Sequence, residues 1–124
     1  LTVETQLAAT ELATGGVLDE VVRVEAAARM EMPIVTAGLP PGFDVDPASL
    51  DELLSRPEVQ KVQQTPREVV LYLRELKAKS PLSLPIRLTA RLPARVQVPA
   101  ATLYEYYQPE RRATAPSVEV RVRG

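Results

Sequence analysis

The fold of this chain is decided around Phe43-Asp-Val-Asp-Pro-Ala-Ser-Leu-Asp-Glu-Leu-Leu-Ser-Arg56, the clearest helix signal among patterns typical of β-structure. Asp46 is the predicted N-cap, because its carboxylate can accept hydrogen bonds from the first free N–H groups. Pro47 follows at the first helical position, where its missing N–H costs nothing. The stretch therefore predicts one short helix at about 47–55, ended by Pro57.

The two faces of this predicted helix differ in polarity. Leu50, Leu53 and Leu54 recur at the i, i+3, i+4 spacing of an apolar stripe, which we expect to pack on sheets. Negative charge is favoured in the first turns by the helix dipole. The polar face is interpreted as a candidate partner-binding surface made of Asp46, Asp51, Glu52, Ser55 and Arg56.

Most of the remaining chain alternates apolar and polar residues with a period of two, which is typical of β-strands. The strongest pattern runs from Leu82 to Leu92, where every even position is apolar. Pro85 within it indicates a strand edge or a bulge, because proline cannot donate to a ladder. Further strands are predicted over residues 1–7, 59–64, 68–73, 101–107 and 118–123.

Local preference leaves residues 18–32 ambiguous. Val22 and Val24 alternate with charged residues and favour a strand, whereas residues 25–31 are rich in helix formers. We favour a strand, a bend near residues 28–29 and a second strand from Met30 to Ala37. Eight or so short strands separated by Pro and Gly turns, with one helix, predict a single antiparallel β-sandwich domain over residues 1–124.

The composition excludes several classes of site. The chain has no cysteine and no histidine, which rules out disulfides, thiol catalysis, Ser-His-Asp catalysis and zinc sites built from these residues. No Ser-x-x-Lys pair is present. Asp44, Asp46 and Asp51 lack calcium-loop spacing and are attributed to the helix start. No apolar run is long enough to span a bilayer. We expect no enzyme activity, cofactor, bound metal or membrane insertion.

Charge is distributed unevenly along the chain. Residues 1–58 contain 3 basic and 11 acidic side chains, and residues 59–124 contain 12 basic and 5 acidic ones. One interpretation is a basic partner-binding half, and the favoured one is that strands from the two halves pair their charges across a sheet. Arg87, Arg91 and Arg95 are accordingly interpreted as a solvated strand face. Nucleic-acid binding is not expected.

Three of the four tyrosines lie in Leu103-Tyr-Glu-Tyr-Tyr107. They could form a stacking platform for sugars or bases. The favoured interpretation is packing on the faces of a strand, with Tyr104 and Tyr106 on one face and Leu103 and Tyr107 on the other.

Several segments, taken in order, resemble one known family, the C-terminal receptor-binding domain of the α2-macroglobulins, which are thioester-containing protease traps related to complement. The resemblance covers about residues 30–110. The cysteine-free composition is more similar to that of bacterial members than to that of vertebrate ones. Its segments are Met32-Pro-Ile-Val-Thr-Ala-Gly-Leu-Pro-Pro-Gly-Phe43, Leu50-Asp-Glu-Leu-Leu54, Glu68-Val-Val-Leu-Tyr-Leu-Arg-Glu-Leu76, Leu84-Pro-Ile-Arg-Leu-Thr-Ala-Arg-Leu-Pro93 and Pro99-Ala-Ala-Thr-Leu-Tyr-Glu-Tyr-Tyr-Gln-Pro-Glu110.

The resemblance implies a two-sheet sandwich with one helix, at the C-terminal end of a much longer multidomain protein that is secreted, periplasmic or on the cell surface. It implies a non-catalytic interaction or regulatory domain of a protease inhibitor. The implied partners are the other domains of the parent chain, the protease captured by the intact protein, and a protein partner at the helix. The alternative is an adhesion or carbohydrate-binding module of an unrelated surface protein.

Two features of the family have no counterpart in this sequence. The helix of vertebrate members carries lysines that bind a clearance receptor, whereas residues 50–56 contain no lysine. The Gly-Cys-Gly-Glu-Gln thioester motif is also absent. Any covalent capture is therefore expected to belong to other domains.

Overall fold

The structure, a computed structural model, describes all residues from 1 to 124. The fold consists of fourteen strands and one helix, α1 (Pro47–Leu54). The strands are β1 (Thr2–Leu7), β2 (Glu11–Ala13), β3 (Val17–Glu25), β4 (Met30–Glu31), β5 (Pro33–Gly38), β6 (Phe43–Val45), β7 (Val59–Gln64), β8 (Glu68–Leu73), β9 (Glu75–Leu76), β10 (Leu82–Ala90), β11 (Ala94–Val98), β12 (Thr102–Glu105), β13 (Arg112–Thr114) and β14 (Val118–Arg123).

These strands form packed sheets around one apolar core. A five-stranded sheet has the order β13-β12-β5-β8-β7, and a four-stranded sheet has the order β1-β3-β10-β6. A three-stranded sheet, β11-β14-β2, and the small β4-β9 pair complete the fold. Every pairing between these strands is antiparallel except that of β14 with β2. The predicted β-rich fold with one short helix is confirmed.

The ambiguous region before Met30 forms β3, as the valines predicted. β3 lies between β1 and β10, and Val22 and Val24 are fully buried there. The helix-forming residues that follow make only an isolated bridge at Ala26 and a bend. Burial of a β-branched face between two strands outweighs local helix preference here.

The strand predicted from Met30 to Ala37 is interrupted, so that prediction was wrong in its continuity. Met32 adopts a left-handed conformation with φ of 49°, which separates β4 from β5. The Met32 N–H donates to the Arg74 carbonyl at 3.2 Å, and its carbonyl accepts from the Tyr106 N–H at 3.1 Å. These two bonds satisfy the backbone where the chain leaves β9 as a partner and joins β8.

Strand β10 keeps the predicted alternation, with Leu84, Ile86 and Leu88 in the core. It ends at Ala90 and not at Leu92, whose side chain is 60% exposed. The prediction of its end was therefore wrong. The Arg91 N–H still donates to the Gly42 carbonyl at 2.8 Å, which continues the register of β10 with β6. The ladder ends there because Gly42, with φ of 81°, turns the partner chain away from β10.

Pro85 lies on an open side of β10, as its missing N–H predicted. β6 pairs only with residues 88–90 of β10, so the preceding part of the strand is free on that side. Helix α1 covers this gap, because the Asp46 N–H donates to the Arg87 carbonyl at 2.8 Å and the Arg87 N–H donates to Ser49 Oγ at 3.2 Å. Pro85 lies two positions before Arg87, so its backbone nitrogen points to the same side of β10 as the Arg87 N–H, towards the helix.

Five short strands were not predicted: β2, β6, β9, β11 and β13. Each has two to five residues, too few to show a clear period. No helix in the chain is long and apolar enough to cross a bilayer.

Candidate functional site

Helix α1 is attached to the sandwich through a narrow apolar face. Asp46 is the N-cap as predicted, and its carboxylate accepts from the Ala48 N–H at 3.0 Å. Leu53 is fully buried and Leu50 packs partly against the core. Leu54 is 50% exposed, so its assignment to the buried stripe was wrong. The helix rests on β7 and β10 through its 50/53 side, which leaves Leu54 at the edge of the contact.

The predicted polar face is only partly one surface. Asp51, Glu52 and Ser55 are exposed, and the Ser55 hydroxyl donates to the Glu52 carbonyl at 2.6 Å. Arg56 turns back and donates to the Ser83 carbonyl on β10 at 2.7 Å, so its outward orientation was predicted wrongly. Asp51 and Glu52 lie beyond the first turn, which contains no acidic residue. The helix dipole therefore favours Asp46 alone.

Asp46 and Glu52 line a small groove of about 140 Å³ between α1 and β10. Its centre is the Arg87 guanidinium, whose Nε lies 2.9 Å from Asp19 Oδ1. The hydrogen bond to Asp19 raises the pKa of Arg87, and the charges of Asp46 and Glu52 raise it further. Three carboxylates thus surround one cation and leave an acidic groove. Asp51 does not line this groove, so the structure divides the predicted acidic face in two.

Charges of the two halves of the chain pair between neighbouring strands of a sheet, as the favoured interpretation predicted. Arg87 pairs with Asp19, Arg91 with Asp44, and Arg123 with Glu11. In each pair the acid comes from residues 1–58 and the base from residues 59–124. The charge asymmetry therefore reflects interleaved strands, and the predicted solvated stripe at Arg87, Arg91 and Arg95 consists of paired side chains.

The tyrosine segment does not pack as one strand. β12 ends at Glu105, and the Tyr106 and Tyr107 side chains are 57% and 64% exposed. Their rings contact each other edge to face, with centroids 5.3 Å apart. The packing prediction was therefore wrong for both. The cause is the buried Glu105 carboxylate, which accepts from the Glu31 N–H at 2.9 Å and from Arg111 at 3.1 Å and so fixes a turn in residues 106–111.

A buried acid in the core was missed by the sequence reasoning. Glu20 is 2% exposed, and its Oε2 has no hydrogen-bond partner. Burial raises the pKa of Glu20 from its usual value to about 7. The signal was available, because Glu20 shares the inward parity of Leu18 and Val22 on the same strand.

The acidic side chains near the helix are already engaged in local structure. Asp44 pairs with Arg91, and Asp46 caps the helix. No group of three or more His, Cys, Asp or Glu side chains is arranged to hold a metal ion.

Comparison with known proteins places the chain in a family. The family model of the A-macroglobulin receptor binding domain matches residues 28–116, which is most of the chain. The chain belongs to this family. The match begins at the bend before β4 and includes the helix, the five-stranded sheet and the tyrosine segment. No curated protein matches the chain in sequence.

Solved structures show the macroglobulin receptor-binding fold in bacteria. A mutant of Salmonella alpha-2-macroglobulin matches with a TM-score of 0.84 at 18% identity over 99% of this chain and 9% of that one. Native Escherichia coli alpha-2-macroglobulin, from domain MG7 to the C-terminus, matches with a TM-score of 0.83 at 17% identity, over 98% of this chain and 23% of that one. The E. coli protein activated by porcine elastase matches with a TM-score of 0.83 at 18% identity, over 99% of this chain and 13% of that one. This chain thus spans less than a quarter of each of these relatives.

Proposed function

We propose that these 124 residues are the C-terminal, non-catalytic interaction domain of a bacterial alpha-2-macroglobulin-like protease inhibitor. The single observation that carries the proposal is the family match over residues 28–116. The likeness to an E. coli alpha-2-macroglobulin that porcine elastase activates supports a link to protease trapping. The proposed location is outside the cytoplasm, in the periplasm or at the cell surface, where such a trap meets foreign proteases.

In this proposal the domain binds partner proteins or neighbouring domains, and other parts of a longer chain capture the protease. The domain has no cysteine with which to form a thioester. Its loop between β5 and β6 holds Pro40 and Pro41 and is tied at both ends, because the Leu39 N–H donates to the Arg67 carbonyl and the Arg91 N–H donates to the Gly42 carbonyl, each at 2.8 Å. A loop braced in this way positions α1 and is a poor substrate-like inhibitor segment.

We therefore predict that the isolated domain inhibits no protease at near-stoichiometric concentration. The measurement is a panel of serine, cysteine and metalloproteases with a small peptide substrate as readout. Saturable inhibition of any of them that is lost in Leu39→Ala or Pro40→Ala would show that the domain is itself an inhibitor, contrary to the proposal. Circular dichroism of both variants controls for folding.

The proposed partner surface is the exposed part of α1, namely Asp46, Asp51, Glu52 and Ser55, with Arg56 at its margin. If it contacts another domain of the parent chain, reversing its charge should weaken that contact. We predict that Asp51→Lys combined with Glu52→Lys lowers the affinity of this domain for the rest of the parent chain, added as a separate protein. The loss should be larger at low ionic strength, because the charges are then less screened.

The matched control for this prediction is Glu4→Lys combined with Glu110→Lys, which makes the same change in net charge at exposed acids away from the helix. Equal affinity of the wild type and the helix variant would remove α1 as a charged interface. An equal loss in the control would mean that net charge, and not the helix, sets the affinity.

One observation favours the alternative of a carbohydrate-binding surface module, namely the exposed pair of Tyr106 and Tyr107. Aromatic rings in this position can stack on sugars. Titration with a glycan panel would favour that function if tyrosine fluorescence changed saturably and the change was lost in Tyr106→Ala and Tyr107→Ala.

A further inference from the structure

One row of side chains crosses the outer face of the five-stranded sheet from edge to edge. In the strand register Lys61 lies beside Tyr72, Tyr72 beside Ile34, Ile34 beside Tyr104, and Tyr104 beside Arg112. The row has a cation at each end. It spans about 19 Å, because neighbouring strands lie about 4.8 Å apart. We call these five residues the tyrosine row.

Each ring of the tyrosine row has a cation over it. The Lys61 Nζ lies 5.5 Å from the centroid of the Tyr72 ring, and the Arg112 guanidinium lies 5.8 Å from that of Tyr104. Ile34 fills the space between the tyrosines and is only 4% exposed although it is on an outer face. A sugar or a nucleobase that stacked on the outer ring faces would have to displace these cations. The Tyr72 hydroxyl is also engaged, because it donates to Gln63 Oε1 at 3.3 Å.

Neither cation of the row has an acidic partner in the chain. Lys61 and Arg112 are exposed and form no ion pair. The outer face of the four-stranded sheet is different, because Arg23, Arg87 and Arg91 each pair with a carboxylate there. On the outer face of the five-stranded sheet, by contrast, Lys61 and Arg112 at the two edges and Glu68 at one end of β8 form no ion pair.

The strand positions next to the row keep this face flat and uncharged. The adjacent register row consists of Thr114, Thr102, Thr36, Val70 and Gln63. The threonine hydroxyls at positions 36 and 102 hydrogen-bond to each other. The face is thus a smooth surface with a positive charge at both edges.

We propose that the tyrosine row is a docking surface for an acidic protein surface that presents a carboxylate to Lys61 and another to Arg112, with an uncharged strip between them. Charge complementarity selects this occupant, because the two cations are the charged groups of the row and neither has an acidic partner. The acidic helix of a second copy does not meet this requirement, because its unpaired acids, Asp51 and Glu52, are adjacent and cannot reach both cations.

The test uses poly-L-glutamate as the acidic polypeptide probe, at low salt, with amide and tyrosine side-chain NMR shifts of the domain as readout. Saturable shifts are expected along β7, β8, β12 and β13. Lys61→Glu combined with Arg112→Glu should weaken binding by at least about tenfold. That variant should bind poly-L-lysine at the same positions, because the charge requirement is reversed.

The control variant is Lys77→Glu combined with Arg121→Glu, which changes the net charge equally at exposed cations that form no ion pair. Its affinity for poly-L-glutamate should stay within about twofold of wild type. The milder pair Lys61→Gln and Arg112→Gln serves if the reversed variant does not fold. Shifts spread evenly over all surface cations, or tighter binding of oligothymidylate or an uncharged glycan to the tyrosine row, would overturn the proposal.

Discussion

Replacing Leu53 by alanine is expected to lower the free energy of unfolding by about 2–5 kcal/mol, as truncation of a buried leucine does. Leu53 is fully buried, and it belongs to the core cluster that joins both sheets. Leu53 is the one fully buried side chain of α1, since Leu50 is only partly buried. The alanine variant should therefore lose the helix contact with β7 and β10 together with the apolar area. Urea unfolding followed by circular dichroism measures the change.

The adjacent leucine provides a matched control for this experiment. Leu54→Ala removes the same atoms from a side chain that is 50% exposed, and it should cost under about 1 kcal/mol. A third variant, Glu52→Ala, should cost under about 0.5 kcal/mol, as surface substitutions usually do. A larger effect at Leu54 than at Leu53 would contradict the orientation of α1.

The core acid should make the stability of the domain depend on pH. Burial raises the pKa of Glu20 to about 7, so the folded state holds this proton more tightly than the unfolded chain does. The contribution of Glu20 to the free energy of unfolding is fully present below the unfolded pKa of about 4.5, and it is lost as the pH rises through about 7. The shift corresponds to a loss of roughly 3 kcal/mol across that window.

Glu20→Gln isolates this effect, because the amide has nearly the same shape and does not titrate. The measurement is the free energy of urea unfolding of both proteins at several pH values between the two pKa values and above them. The difference between wild type and variant should change steadily in favour of the variant as pH rises. A difference that stays constant with pH would show that the Glu20 carboxyl is not held neutral in the core. Thr5 Oγ1, which also lacks a partner, is a natural site for a second variant, Thr5→Val.

Several errors in the predicted strand ends share one cause. The alternation that predicted β10 continues through Leu92 in the sequence, but the ladder stops after the bond from the Arg91 N–H to the Gly42 carbonyl, because the partner chain turns away at Gly42. Tyr106 and Tyr107 continue the pattern of β12, but a carboxylate buried against Glu31 turns the chain after Glu105. Local periodicity carries no information about a hydrogen-bond partner that is distant in the sequence.

The candidate helix surface illustrates the same division. Asp46 could be identified as the cap from its neighbours in sequence, because capping is a local interaction. The orientation of Arg56 towards Ser83 depends on a contact that spans 27 residues. No pattern in the sequence predicted the tyrosine row, because its five members lie on five different strands.

The sequence by itself determined the β-rich class, the single capped helix and the absence of thiol and imidazole chemistry. These properties depend on residue type and on spacing within a few positions. Tertiary structure decided which face of α1 is buried, which charges are paired, and that Glu20 lies without a partner in the core. Each of these depends on desolvation and on contacts between distant strands, which exist only once the sheets have packed.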